Sequence, residues 1–256
     1  MPGISAVIIA RDEVQKIGDC IGSLEGVAEE VIVYDSGSTD GTQQLAKTLG
    51  ARVIEGEWLG YAQTKNAANT HARHPYILSM DADEVLSSEL IASLIQIKPH
   101  LSGAYKFNRL TRFGDHYVRY GGWYPDAKLR LFPREAARWE GEFVHEQLTL
   151  EEGTPVALLK GDLLHHSFDS IADYWERVNG YTTLGAKELY ERGKKATWLK
   201  LWLGPTWVFY RMFWLRGGFR DGGTGWMLAK LSAAYHRLKY LKLRELYQKG
   251  NINRGS

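Results

Sequence analysis

Three short apolar runs, "ISAVIIA" (4–10), "EVIVYD" (30–35) and "YILSMD" (76–81), recur through the first hundred positions, separated by helical patterns near 14–24, 39–49 and 60–73. A strand wet on one face alternates polar and apolar residues. Runs as continuous as these fit strands covered on both faces, as in a parallel sheet flanked by helices. A weaker strand, "ARVIE", lies at 51–55. Repeated βα units predict an α/β sheet with right-handed crossovers over residues 1–98. From about 103 to 168 the pattern is irregular, with strand-like pieces in "GAYKFNRLTRF", "LRLFPR" and "PVALL", and beyond 170 it reads as helical.

Polar residues gather just after the carboxyl ends of these strands: Arg11 and Glu13 after the first, Asp35 and Ser36 after the second, Asp81 and Asp83 after the fourth. Open parallel sheets bind ligands along that edge. "YILSMDADEVL" (76–86) sharpens the point, because a buried strand there ends in Asp81, Asp83 and Glu84. Like charges at a core boundary cost stability unless something positive sits among them. A divalent cation, a substrate, or both would answer that need.

Bulk properties narrow the class. With 44% hydrophobic and 24% charged residues the chain is globular rather than disordered. Its single cysteine, Cys20, excludes an internal disulfide and a cysteine-based zinc cluster, which suits a reducing compartment. The start "MPGISAVIIARDE" lacks the pattern of a signal peptide, and no stretch of about 18 apolar residues promises a membrane span. The net charge of +2 hides an asymmetry: residues 191–256 hold 14 Lys/Arg against 3 acids, hence +11, and five of the nine tryptophans.

Two motifs carry the chemistry. "YDSGSTDGT" (34–42) follows a strand and opens a helix, so Ser38 or Thr39 serves as a helix cap and Asp40 as a first-turn acid. That leaves Asp35, at the strand end, to accept from a ligand's N–H groups. No Gly-x-Gly-x-x-Gly fingerprint or P-loop is present. In "DADE" (81–84), two carboxylates at i and i+2 reach one hard cation. An EF-hand is excluded, because Val85 and Leu86 stand where further oxygens and a turn glycine belong. "DADEVL" also fits a haloacid-dehalogenase-like phosphatase, with Asp81 as nucleophile and Asp83 as acid/base. Three βα units precede the motif here, however, and no late acidic pair completes that site.

Taken together, "VIIARDE", "VIVYDSGSTDGT" and "SMDADE" resemble, in order and spacing, the nucleotide-sugar-binding half of family-2 inverting glycosyltransferases with the GT-A fold. "GGWYPDAKLRLFPR" and "WEGEFVHEQL" are similar to the subgroup that includes lipopolysaccharide core glucosyltransferases. The resemblance implies that Glu13 binds the ribose, Asp35 the uracil edge and Asp81 the ribose or the metal shell, with Arg11 beside them. Asp83 would be the main ligand of a divalent metal, Mg2+ or Mn2+, on the UDP-sugar diphosphate. Lys65 falls where such enzymes place a basic residue near the diphosphate or base; a solvated helix residue is its other reading. Transfer needs a base for the acceptor hydroxyl. Glu146 in "FVHEQL" is the candidate, with Glu142 and Asp126 as alternatives. In "LLHHSF", His165, or else His166, is the late histidine that supplies a further metal or diphosphate contact.

The tail completes the expectation. "TWLKLWLGPTWVFYRMFWLRGGF" (197–219) is interrupted by Lys200, Pro205 and Arg211, and a helix from Trp226 onward carries Lys230, Arg237 and Arg244 seven apart. Aromatic residues mixed with Lys and Arg suit an anionic membrane surface better than nucleic acid. The expected organisation is a GT-A domain over 1–190, with a nucleotide-sugar half (1–98), an acceptor half (99–190) and a mostly parallel, Rossmann-like sheet. A basic, membrane-associating helical extension follows over 191–256. Such an enzyme would be cytoplasmic, peripheral on a bacterial inner membrane, and would move glucose from UDP-glucose to a lipid-linked or lipopolysaccharide-core acceptor. A non-catalytic nucleotide-sugar-binding membrane protein is the rival from another class.

Overall fold

A computed structural model of the chain describes residues 2–141 and 146–252. Its first half is built from β1 (Ile4–Ala10), α1 (Ile17–Gly22), β2 (Glu30–Asp35), α2 (Thr42–Thr48), β3 (Arg52–Glu55), α3 (Tyr61–Asn69) and β4 (Tyr76–Asp81). The four strands lie parallel in the order β3-β2-β1-β4. The continuous apolar runs have the cause that sequence suggested, since both faces are covered. Ile4, Ala6 and Ile8 of β1 join Leu78 and Met80 of β4 in one core with Ile17, Cys20, Leu24, Leu90 and Leu94. Val7, Ile32, Tyr34 and Ile77 pack on the other face with Ala68 and Ala72.

The sheet does not stay parallel. After β5 (Glu84–Leu86) and α4 (Ser88–Ile97) come β6 (Ala104–Phe113), β7 (His116–Tyr117), β8 (Ala127–Pro133), β9 (Ala137–Glu140), β10 (Gln147–Leu150) and β11 (Val156–Phe168). The main sheet continues from β4 through β8, β6 and β11 to β5; β8 is antiparallel to both β4 and β6, and β11 is antiparallel to β5. The expectation of a mostly parallel sheet is thereby corrected to a mixed one. Its cause lies in the connections, because past residue 98 the strands no longer alternate with crossover helices, and only such crossovers keep neighbours parallel. β9 and β10 form a separate antiparallel pair.

Three long helices follow: α5 (Ile171–Glu191), α6 (Trp198–Tyr210), which passes into a wider π turn over Arg211–Leu215, and α7 (Gly222–Ile252). The chain forms two compact units, Met1–Leu110 with Pro125–Ser167, and Thr111–Tyr124 with Phe168–Ser256. The second has its own core, in which Phe113, Val118, Tyr174, Val178, Leu228 and Leu231 are buried together. No helix among the described residues is long and apolar enough to cross a membrane.

Candidate active site

The loops after β1 and β2 are laced into one edge. The Asp12 N–H donates to Ser38 Oγ (2.8 Å), the Glu13 N–H to Thr42 Oγ1 (2.8 Å) and the Val14 N–H to Asp40 Oδ2 (3.0 Å). In return, the Thr39 N–H donates to Asp12 Oδ1 at 2.8 Å. The capping reading of Ser38 and Thr39 is corrected here. The residue before α2 is Gly41, without a side-chain cap, and the polar side chains of the motif bind the neighbouring loop instead. Asp35 is fully buried at the end of β2. Its Oδ1 accepts from the N–H groups of Gly37 (3.1 Å) and Ser38 (2.9 Å) and from Gln43 Nε2 (2.8 Å). The Arg11 side chain is exposed, 4.0 Å from Asp12.

At the end of β4, the positive charge among the carboxylates comes from the protein itself. Lys65 of α3 reaches Asp81 Oδ1 at 3.0 Å, and Arg130 of β8 reaches Asp81 Oδ2 at 2.7 Å. The same guanidinium donates to Glu84 Oε1, and Glu84 Oε2 accepts the Asp81 N–H at 3.0 Å. Glu84 and Arg130 are both buried. Burial alone would raise the Asp81 carboxyl, but the charges of Arg130 and Lys65 hold it far below the usual carboxylate range. For Glu84 burial prevails over Arg130, helped by the nearby Asp81 charge, and its carboxyl is raised. A solvated Lys65 is thereby ruled out: its side chain is 3% exposed.

Asp83 stands two residues on, and β11 brings His165 opposite Glu84 through the β5 pairing. His165 Nε2 lies 3.3 Å from Asp83 Oδ2. Burial pushes the Asp83 carboxyl up, and the His165 contact more than offsets it, leaving it lowered. His166 is held through its backbone, its N–H donating to Asp83 O (2.9 Å) and its carbonyl accepting from Lys16 Nζ (2.9 Å). It is the His165 ring that this contact brings to the acid. Its Nδ1 is buried without a hydrogen-bond partner.

Glu146 joins the same neighbourhood through Lys65, whose Nζ is 3.6 Å from Glu146 Oε1 and 4.5 Å from the centre of the Trp139 ring. Asn66 fixes this arrangement by donating from Nδ2 to Trp139 O (2.8 Å) and accepting the Trp139 N–H (3.0 Å). Asp126 is instead bound to Arg109 (2.8 Å) and Lys128 (3.0 Å), and these cations outweigh its burial and lower it. Glu142 lies outside the described residues. All the candidates from Arg11 to His165 belong to the first compact unit.

The model for glycosyl transferase family 2 matches residues 5–134, just over half the chain. The chain belongs to that family. It is an enzyme with an α/β fold of the GT-A type, and inversion at the anomeric carbon is typical of its relatives. A Rickettsia typhi protein named as an uncharacterized glycosyltransferase is 33% identical over 96% of this chain and 88% of its own length. The lipopolysaccharide core biosynthesis glycosyltransferase LpsC of Rhizobium meliloti is 32% identical over 96% of this chain and 92% of its own. Among solved structures, S. aureus TarS matches 97% of this chain and 92% of its own at 14% identity, with a TM-score of 0.48. The phosphatase and non-catalytic readings fall with family membership. The geometry agrees on the first, since both oxygens of Asp81 are engaged by cations rather than held free for attack.

In this glycosyltransferase, sequence reasoning missed Arg130 and the clamp of Asn66 on Trp139. Arg130 had a signal: it is a lone charge inside the apolar run "LRLF" of β8, where a strand flanked by β4 and β6 has little room for an unpaired cation. Asn66 had none, because its partner is backbone 73 residues away.

Proposed function

We propose that this family 2 glycosyltransferase transfers a hexose, glucose from UDP-glucose, with inversion to a lipid-linked or lipopolysaccharide-core acceptor. In this reading it works at the cytoplasmic face of a bacterial inner membrane. The observation that carries the reading is the juxtaposition of two pairs around the carboxylates that end β4: Asp83 with His165, and Lys65, bound to Asp81, with Glu146. The name of the LpsC relative supports the acceptor class.

The donor set fits a divalent cation. A carboxylate oxygen and an imidazole nitrogen 3.3 Å apart would be close enough to hold one divalent ion together. No cluster of three acidic, histidine or cysteine ligands occurs among the described residues, so the donor diphosphate and water would complete the shell. When bound, the cation offsets the charge that grows on the departing diphosphate. Asp81, already matched by two cations, would act from outside the ion's own ligands. Lys65 has a further N–H for a diphosphate oxygen. Glu13 and Arg11 line the nucleoside end, where a uracil N–H would take the place of Gln43 Nε2 on Asp35. Glu146 removes the acceptor proton as the hydroxyl oxygen bonds to the anomeric carbon. The bond from that carbon to the diphosphate breaks, and its electron pair leaves with UDP.

The test is UDP-glucose turnover with a lipopolysaccharide-core acceptor and Mn2+ or Mg2+, run beside UDP-binding calorimetry. Asp83→Ala is expected to remove metal-dependent UDP binding while leaving the fold intact. Glu146→Gln is expected to bind UDP normally and lose roughly 10²-fold or more in transfer. Unchanged UDP affinity in Asp83→Ala with Mn2+ removes the metal assignment, and substantial transfer by Glu146→Gln removes the base.

A further inference from the structure

Helix α6 is amphipathic in the wrong sense for a soluble protein. Along α6 and its π turn the exposed positions recur as pairs every fourth residue: Trp198 and Leu199, Trp202 and Leu203, Thr206 and Trp207, Tyr210 and Arg211, Trp214 and Leu215. That spacing is one continuous stripe along a helix. Its eight apolar or aromatic members are each 47% to 65% exposed, while Leu201 and Met212 face inward and are buried. A stripe 18 residues long runs about 26 Å. Phe219, its ring 5.9 Å from that of Trp214, is exposed beside it, and Trp226 is exposed as well.

We propose that this stripe is an in-plane anchor, lying in the headgroup layer of an anionic lipid bilayer with its tryptophans and leucines at the acyl boundary. Two observations choose lipid as the occupant. The first is charge: residues 191–256 hold 14 basic against 3 acidic residues, so a second copy would bring like charge against like, whereas anionic headgroups complement it. The second is the placing of the cations. Arg237 lies over the Trp202 ring (4.4 Å), and Lys230 lies over Phe209 (4.9 Å) and Trp226 (5.4 Å). Positive charges at the flank of an aromatic stripe stand at phosphate depth when the rings enter the interface. Tryptophan suits that layer, with an apolar body and one N–H for a wet partner. Leu199, Leu203 and Leu215 offer nothing for bases to stack on, which disfavours single-stranded nucleic acid.

The inference deepens the lipid-acceptor reading and rests on it for its purpose, but its test is separate. The full chain is floated with phosphatidylcholine vesicles with and without phosphatidylglycerol, and tryptophan emission is compared between these vesicles and ones in which the phosphatidylcholine is replaced by its chain-brominated form. Flotation with the anionic vesicles and quenching by the bromines are expected. The variant Trp198→Ser/Trp202→Ser/Trp214→Ser should keep its melting temperature and UDP affinity, yet partition at least about tenfold less. Lys230→Gln/Arg237→Gln should lose the salt-sensitive part of binding. No flotation of the wild type, equal flotation of the triple variant, or dimerisation that the triple variant abolishes would each overturn the anchor. Flotation with quenching but no sugar transfer would leave the anchor standing and remove the transfer reading.

Discussion

Arg130 is a full positive charge whose side chain is 4% exposed, and its worth lies in the two carboxylates it holds. Removing one member of a buried ionic cluster strands the others in a poorly solvating interior, at about 3–5 kcal/mol. Arg130→Met should therefore lower unfolding stability by about that much, because Glu84 is left with no cation and Asp81 with Lys65 alone. Arg130→Lys should recover part of the loss, since one ammonium cannot reproduce a fork spanning two carboxylates. Urea titration measures both; a Met variant as stable as wild type would show the cluster to be incidental. This residue also marks where sequence reading stops. Asp81 and Asp83 were legible because they stand at a strand end, and Lys65 and His165 were reached only through the resemblance to the family. The pairing of Arg130 with Asp81 was not legible: the lone charge stands out within its apolar run, but nothing local ties it to a carboxylate 49 residues earlier in the chain.

At the scale of elements, β11 delivers His165 to Asp83, and it does so past a tight crossing. Gly161 has φ +93°, and a Cβ there would sit 2.2 Å from Leu90 N and 2.6 Å from Leu90 Cα, backbone at the start of α4 that cannot swing aside. Gly161→Ala should cost about 2–4 kcal/mol through backbone strain and overpacking. It should also weaken metal-dependent UDP binding, since His165 lies four residues on along the same strand. Ser87→Ala is the milder comparison. Ser87 Oγ accepts the Leu90 N–H (3.3 Å) and the Asp162 N–H (2.9 Å), and losing such a cap costs about 1 kcal/mol. Thermal melts and calorimetry separate the two; a Gly161→Ala protein no weaker than Ser87→Ala would contradict the close crossing. The parallel half was legible because β1, β2 and β4 run as continuous, largely buried apolar stretches and each helix lies next in sequence. β6, β8 and β11 were less so, because their partners are distant in the chain and no local period records which strand they join.

Over the whole molecule, composition and packing divide the chain differently. Charge changes sign after residue 190, whereas contacts assign α5, with its buried Tyr174 and Val178, to the helical unit. Charge belongs to surfaces and was readable; contacts between helices 50 residues apart were not. The carboxylates of the first unit also set the acid limit of the fold. Burial raises Glu29, Glu30 and Asp126, but partners prevail in each case: Ile4 N–H and Lys98 for Glu29, Ser5 and Arg52 for Glu30, Arg109 and Lys128 for Asp126. All three end below their ordinary range. A carboxyl with a depressed folded pKa binds fewer protons folded than unfolded. Its stabilisation is then complete above the unfolded value near ~4 and disappears as pH falls through the folded one. Glu84, raised by burial, has the opposite sign and gains as pH falls. With more carboxylates lowered than raised, the melting temperature should stay level from about pH 7 to 5 and fall steeply below about 4. Glu29→Gln/Glu30→Gln/Asp126→Asn should melt lower at neutral pH and show a shallower acid limb, because its pairs are already gone. Differential scanning calorimetry across that range decides it: an acid limb of equal steepness in the variant would mean that other groups set the limit.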